Sequence, residues 1–186
     1  MKNDYLRRIL AARVYDVAIE SPLEPAPAIS RRTGNHILLK REDKQPVFSF
    51  KLRGAYNKMA HLTPAQLARG VICASAGNHA QAVALAARER EIHCEVVMPI
   101  GAPVGKVEAT EALGAAVTLA GGSVIEAIAV AEQRVAETGL SFVHPFDDAD
   151  VICGQGTLGL ELLEQLPDAA TVLVPAGGGG LLAGVA

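Results

Sequence analysis

Tyr5, Leu6, Ile9, Leu10, Val14 and Val17 recur at the spacing of one helical face, so residues 5–18 read as an amphipathic opening helix. The stretch Pro22-Leu23-Glu24-Pro25-Ala26-Pro27 then breaks any helix and runs extended, because proline fixes its own φ and biases the residue before it. His36-Ile37-Leu38-Leu39-Lys40 reads as a strand, with the polar residues 42–45 as the turn that follows. From Lys51 onward the two periods alternate. A helix covers about 51–62, and Thr63-Pro64 starts the next, threonine as cap and proline at the first helical position. Apolar runs at 71–74, 94–98, 116–119 and 171–174 read as short strands. The stretches 78–91, 104–113, 123–137 and 156–166 read as helices. Strands separated by helices of this length call for right-handed crossovers, so the expected fold class is α/β with a doubly wound, mostly parallel sheet.

Composition narrows the function classes. A chain of 186 residues fills one ordinary domain or part of a larger one, and its 50% hydrophobic content supplies a core. A net charge of −3 argues against a nucleic-acid binder, which needs a basic face. Cys73, Cys94 and Cys153 are odd in number, widely spaced and without a C-x-x-C pair. That points to reduced thiols in the cytosol and away from a disulfide framework or a zinc site. The start, MKNDYLRRILAARVYD, carries charges throughout and does not read as a signal peptide. No apolar run reaches the length of a membrane span. The expectation is a soluble, cytoplasmic protein with a small-molecule partner and no nucleic-acid, membrane or metal partner. The four glycines at 177–180 open a helix that stops at Ala186, too short to cover a sheet face, so the chain reads as the front portion of a longer protein.

Ligands in open α/β sheets sit beyond the carboxyl ends of the strands. Ser75-Ala76-Gly77-Asn78-His79 follows the predicted strand at 71–74, and 177–180 follows the one at 171–174. Lys51, where a short apolar stretch gives way to a helix, completes a third element. Burial or nearby positive charge, part of it from a helix start, would lower its pKa and make it nucleophilic. Four glycines let a backbone approach an anion and aim several amides at it. No lysine or hydroxyl completes a P-loop there, and Leu181 and Leu182 interrupt a dinucleotide pattern. The SAGNH loop offers small residues and amides suited to a carboxylate and a phenolic oxygen. Each element also has a plain reading: a tight turn for the glycines, a helix cap for Ser75 or Asn78, a solvated Lys51, a core Phe50. His79 reads as a hydrogen-bonding residue at a helix start rather than as a general base. Together the three supply an amine, a phosphate cradle and a carboxylate loop.

The segments KREDKQPVFSFKLRGA, SAGNHAQ, PFDD with GQGT, and PAGGGGLLAG occur in this order. In them the chain, over essentially its whole length, resembles the fold-type II (tryptophan synthase beta-like) pyridoxal-phosphate enzymes, most closely the biosynthetic threonine ammonia-lyases. The resemblance implies that Lys51 carries pyridoxal 5'-phosphate and, once released, removes the substrate α-proton. Phe50 would pack on the cofactor ring and Asn78 would bond its hydroxyl oxygen. Ser75, Ala76, Gly77 and the Asn78 amide would hold the substrate carboxylate, and Gly177, Gly178, Gly179, Gly180 and the Leu181 amide the phosphate. It further implies L-threonine (or L-serine) as substrate, 2-oxobutanoate and ammonia as products, and an entry step to isoleucine synthesis. A homo-tetramer is implied too, and a smaller subdomain near 66–146 within a catalytic domain of which residues 1–186 are the N-terminal part. Ala82, Ala149 and Val124 stand where the family usually has glycine, proline and an aromatic residue. The family's serine partner for the pyridine nitrogen would lie beyond Ala186, so little activity is expected of these residues alone. The alternatives are a catabolic serine/threonine dehydratase, a serine racemase, or a binding module without turnover; a nucleotide-binding α/β domain is the remaining reading.

Overall fold

The computed structural model describes residues 4–186. The opening helix, α1 (Tyr5–Leu10), is shorter than its apolar spacing predicts. Asn57 Oδ1 takes the Arg13 amide at 2.9 Å, an amide that a continuing helix would spend on its own carbonyl four residues back. Val14 still reaches the core, from a turn instead of a helix. The proline-rich stretch forms β1 (Leu23–Pro25), antiparallel to β2 (Leu38–Lys40). Between them lies α2 (Pro27–Thr33), which the sequence pattern does not announce. Pro27 ends the extended stretch by starting this helix at a position where a missing N–H is not needed, and Gly34, at φ 65°, closes it.

The alternating part follows its pattern closely. After α3 (Lys51–Ala60), Thr63 and Gln66 form a reciprocal capping box that starts α4 (Pro64–Arg69). Then come β3 (Val71–Ala74), α5 (Asn78–Glu89), β4 (Cys94–Met98), α6 (Val104–Glu111), β5 (Ala116–Leu119) and α7 (Val124–Thr138). A two-residue strand, β6 (Ser141–Phe142), was not anticipated. The next helix, α8 (Ala149–Gln165), begins seven residues before its predicted start, because the Asp148 carboxylate accepts the amides of Asp150 and Val151 and caps it there. Residues 171–174 are not a strand: they pair with no described strand, and Leu173 is 87% exposed. The last element is α9 (Gly180–Val185).

Four parallel strands form the sheet in the order β5-β4-β3-β6. Both of its faces are covered. Val71, Cys73 and Val96 pack with α5 and α3, while Ile72, Ala74 and Val97 pack with Ala127 and Ala131 of α7. This two-sided burial is why the central strands β3 and β4 read as continuous apolar runs. Cys73 and Cys94 lie within the first of these layers as buried free thiols. Chain order runs outward from β3 to β5 and then returns to the other side of β3 with β6. The reversal makes the β3–β6 boundary a topological switch point, where open α/β sheets form their ligand crevice. Among the described residues no helix is long and apolar enough to cross a membrane.

Candidate active site

Lys51 is the first residue of α3, and Phe50 precedes it. Its Nζ donates to the Pro145 carbonyl at 2.5 Å and lies 5.5 Å from the centre of the Phe50 ring. Burial lowers the pKa of this amine below the ordinary lysine value. Phe50, Lys51, Phe146, Pro175 and the backbone from Gly177 to Leu181 line one cavity of about 220 Å³. A Cβ added at Gly177 or Gly179 would meet nothing within 4 Å, so these two positions face open space. Gly179 also has φ 85°, a conformation that a side chain would strain. The glycine run is thus a bare backbone surface facing a partly buried amine.

The SAGNH loop leaves the carboxyl end of β3, at the switch point. Ser75 Oγ accepts the Gly77 amide at 3.2 Å, and Asn78 opens α5. Ser75, Ala76, Gly77 and Asn78 do not line the cavity around Lys51. Lys106 Nζ lies 3.9 Å from where a Cβ on Gly77 would stand, so a cation borders this loop. His79 is buried, and its Nε2 lies 2.8 Å from the Val143 carbonyl. A carbonyl only accepts, so Nε2 carries the proton, and Nδ1 has no partner among the described residues. Burial holds the His79 pKa down to about 4, against a weaker opposing effect of the bond to Val143, so the ring is neutral at pH 7. This fits a hydrogen-bonding role better than base catalysis.

One helix fixes the relative placement of the lysine and the glycine loop. A Cβ on Gly154 of α8 would come within 2.7 Å of the Gly54 Cα of α3, and one on Gly184 of α9 within 2.7 Å of the Gly156 amide nitrogen of α8. Only glycine permits these two close crossings. A buried ion network adds direction to the first. Arg53, wholly buried, bonds Glu42 at 2.8 Å and Glu161 at 2.5 Å, and Lys40 reaches Glu161 at 2.5 Å. The Phe146 and Pro145 contributions were not foreseen. A two-residue strand carries almost no periodic signal, so the loop leaving β6 is silent in the pattern although its Pro-Phe-Asp-Asp sequence is distinctive.

A family model described as pyridoxal-phosphate dependent enzyme matches residues 14–186. The biosynthetic L-threonine dehydratase of Burkholderia multivorans is 55% identical over 188 residues, covering 99% of this chain and 37% of that protein. The solved structure of the processed form of threonine deaminase isoform 2 from Solanum lycopersicum superposes with a TM-score of 0.94 at 54% identity, covering 97% of this chain and 50% of the other. Maize serine racemase gives a TM-score of 0.92 at 38% identity, covering 98% and 55%. The chain therefore spans well under two thirds of each of these relatives.

Proposed function

The chain belongs to the family of pyridoxal-phosphate dependent enzymes, and on that footing we propose that it supplies the lysine and phosphate-binding part of a threonine ammonia-lyase. The net reaction is loss of ammonia from L-threonine to give 2-oxobutanoate, a step that leads to isoleucine. The elements of water leave from Cα and Cβ, and water re-enters as the resulting imine is hydrolysed and ammonia departs. The observation that carries this reading is the single cavity shared by Lys51 and the glycine run from Gly177 to Leu181. The residues present fit the cofactor: open space faces Gly177 and Gly179, and a buried amine with a lowered pKa stands opposite. Lys51 would hold the cofactor, the 177–181 amides its phosphate, Phe50 its ring and Asn78 its hydroxyl oxygen. Bound there, the cofactor supplies a conjugated, electron-withdrawing system that makes the substrate α-proton acidic.

The chain's own groups do the rest. Lys51 Nζ, once free of the cofactor, removes the α-proton; its lowered pKa keeps more of the amine in the base form near neutral pH. Ser75, Ala76, Gly77 and the Asn78 amide orient the substrate carboxylate, with the Lys106 charge nearby. We take residues near 66–146 as a smaller subdomain, supported by the four-stranded sheet lying within 71–142, and propose that it closes over the substrate and excludes water. A homo-tetramer and a cytosolic location belong to the same proposal; the buried free thiols support the latter.

The test uses the whole protein with pyridoxal phosphate and, in separate arms, L-threonine and L-serine. An absorbance band near the visible edge, lost in Lys51→Ala, and formation of 2-oxobutanoate are expected. Racemised serine in place of the 2-oxo acid would support the serine racemase reading, which the 0.92 superposition favours as the second choice. A band without turnover would leave a binding module.

A further inference from the structure

We propose that Phe146 is a positioning residue, the spacer that sets the distance between the Lys51 amine and the glycine loop. It deepens the reading of the cavity given above and rests on it. The strap 143–146 leaves β6 at the switch point, and its residues meet each part of the site in turn. The Val143 carbonyl takes His79 Nε2 at 2.8 Å, and the Pro145 carbonyl takes Lys51 Nζ at 2.5 Å. The Phe146 ring then lies against Gly178, where an added Cβ would come within 2.3 to 2.5 Å of three ring carbons. Its backbone crowds Gly180 in the same way, with the Phe146 carbonyl oxygen 2.7 Å from an added Cβ.

The strap is itself held. His144 Nδ1 accepts the amides of Phe146 at 3.2 Å and Asp147 at 2.7 Å. The His144 ring meets the Phe146 ring edge-on, with centroids 4.7 Å apart at 84°. So the ring of Phe146 has little freedom, and the glycine loop rests on it. With Phe50 it also supplies the aromatic walls of the cavity, limiting the water that reaches Lys51. A smaller side chain at 146 would let the loop settle toward the amine and water in beside it. A larger residue at 178 would push the loop the other way.

Two readouts on the whole protein test this. The first is the pH midpoint for labelling of Lys51 by a small amine reagent, mapped by mass spectrometry on protein freed of bound aldehyde. The second is the dissociation constant for pyridoxal phosphate from the near-visible band, with thermal melting to confirm folding. Phe146→Ala is expected to raise the labelling midpoint by ~1 pH unit as water reaches the amine. It is also expected to weaken pyridoxal phosphate by about tenfold, a loss on the scale of a single misplaced contact. Gly178→Ala should weaken binding as well. The double variant should recover part of the loss, because the new methyl enters space the ring has left. Wild-type values for Phe146→Ala in both readouts, or simple addition of losses in the double variant, would overturn the proposal. Should the alanine variant fail to fold, Phe146→Val takes its place: smaller shifts in the same directions are expected, and wild-type values in both readouts would again overturn it. A raised labelling midpoint with no band in any protein, wild type included, would uphold the spacer and sink the cofactor reading.

Discussion

Folding leaves His79 with one ring nitrogen committed to the Val143 carbonyl and the other without a partner among the described residues, and this has a consequence for stability. Its pKa falls from 6.5 to about 4 on burial, so between those values the unfolded chain binds the proton and the folded chain does not. The stability it contributes is whole above pH 6.5 and is lost as pH falls through 4. Between pH 7 and 5 the expected loss is about 2 kcal/mol. His79→Gln, which keeps a donor for Val143, should flatten that slope in urea unfolding; an unchanged slope would assign the proton to another group. Arg53 presents the opposite case, a charge buried among partners. Arg53→Met strips Glu42 and Glu161 of a shared cation and should cost about 3 kcal/mol in the same assay, since an uncompensated buried charge is the expensive outcome. From the sequence, Lys51 stood out because an apolar approach led to a helix, but its carbonyl partner could not, since Pro145 is 94 residues away.

At the scale of elements, α8 is the ruler on which both halves of the cavity are measured. Its Gly154 admits α3 and its Gly156 admits α9, so the lysine and the glycine loop take their positions from one rigid rod. Gly184→Ala should separate α8 from α9, destabilise the protein by about 1–3 kcal/mol through overpacking, and weaken phosphate-bearing ligands because the loop moves with its helix. Normal cofactor affinity in a folded Gly184→Ala protein would refute that coupling. The strands β3 and β4 matched their predicted bounds because burial on both faces makes each a short apolar run between turns, while β5, an exposed edge strand, matched because Gly114 and Gly121 at positive φ bracket its run. The run at 171–174 has the same composition, yet a strand exists only by its neighbour, and no described strand pairs with it. Likewise α2 hid behind a proline that served as a first helical residue instead of a breaker.

Across the whole molecule, the loops after β3 and β6 meet at one switch point, and the lysine joins them through the strap. The order of segments in the chain announced a converging site, but not that the SAGNH loop would stand apart from the Lys51 cavity, joined to it through His79 and Val143. If the subdomain near 66–146 closes as proposed, saturating L-threonine should slow amide exchange in 71–79 and 141–146 of the whole protein while leaving 23–40 unchanged. Equal slowing everywhere would point to general stabilisation instead of closure.

Cys73 and Cys94, side by side in the layer between the sheet and α5, have their thiols pushed upward by burial, Cys94 to about 12. Few thiolates exist there at neutral pH, and reagents have no path to them. Their alkylation therefore becomes a clock for local opening: modification records each excursion in which these strands part from their helix, and its rate reports how often the small sheet breathes.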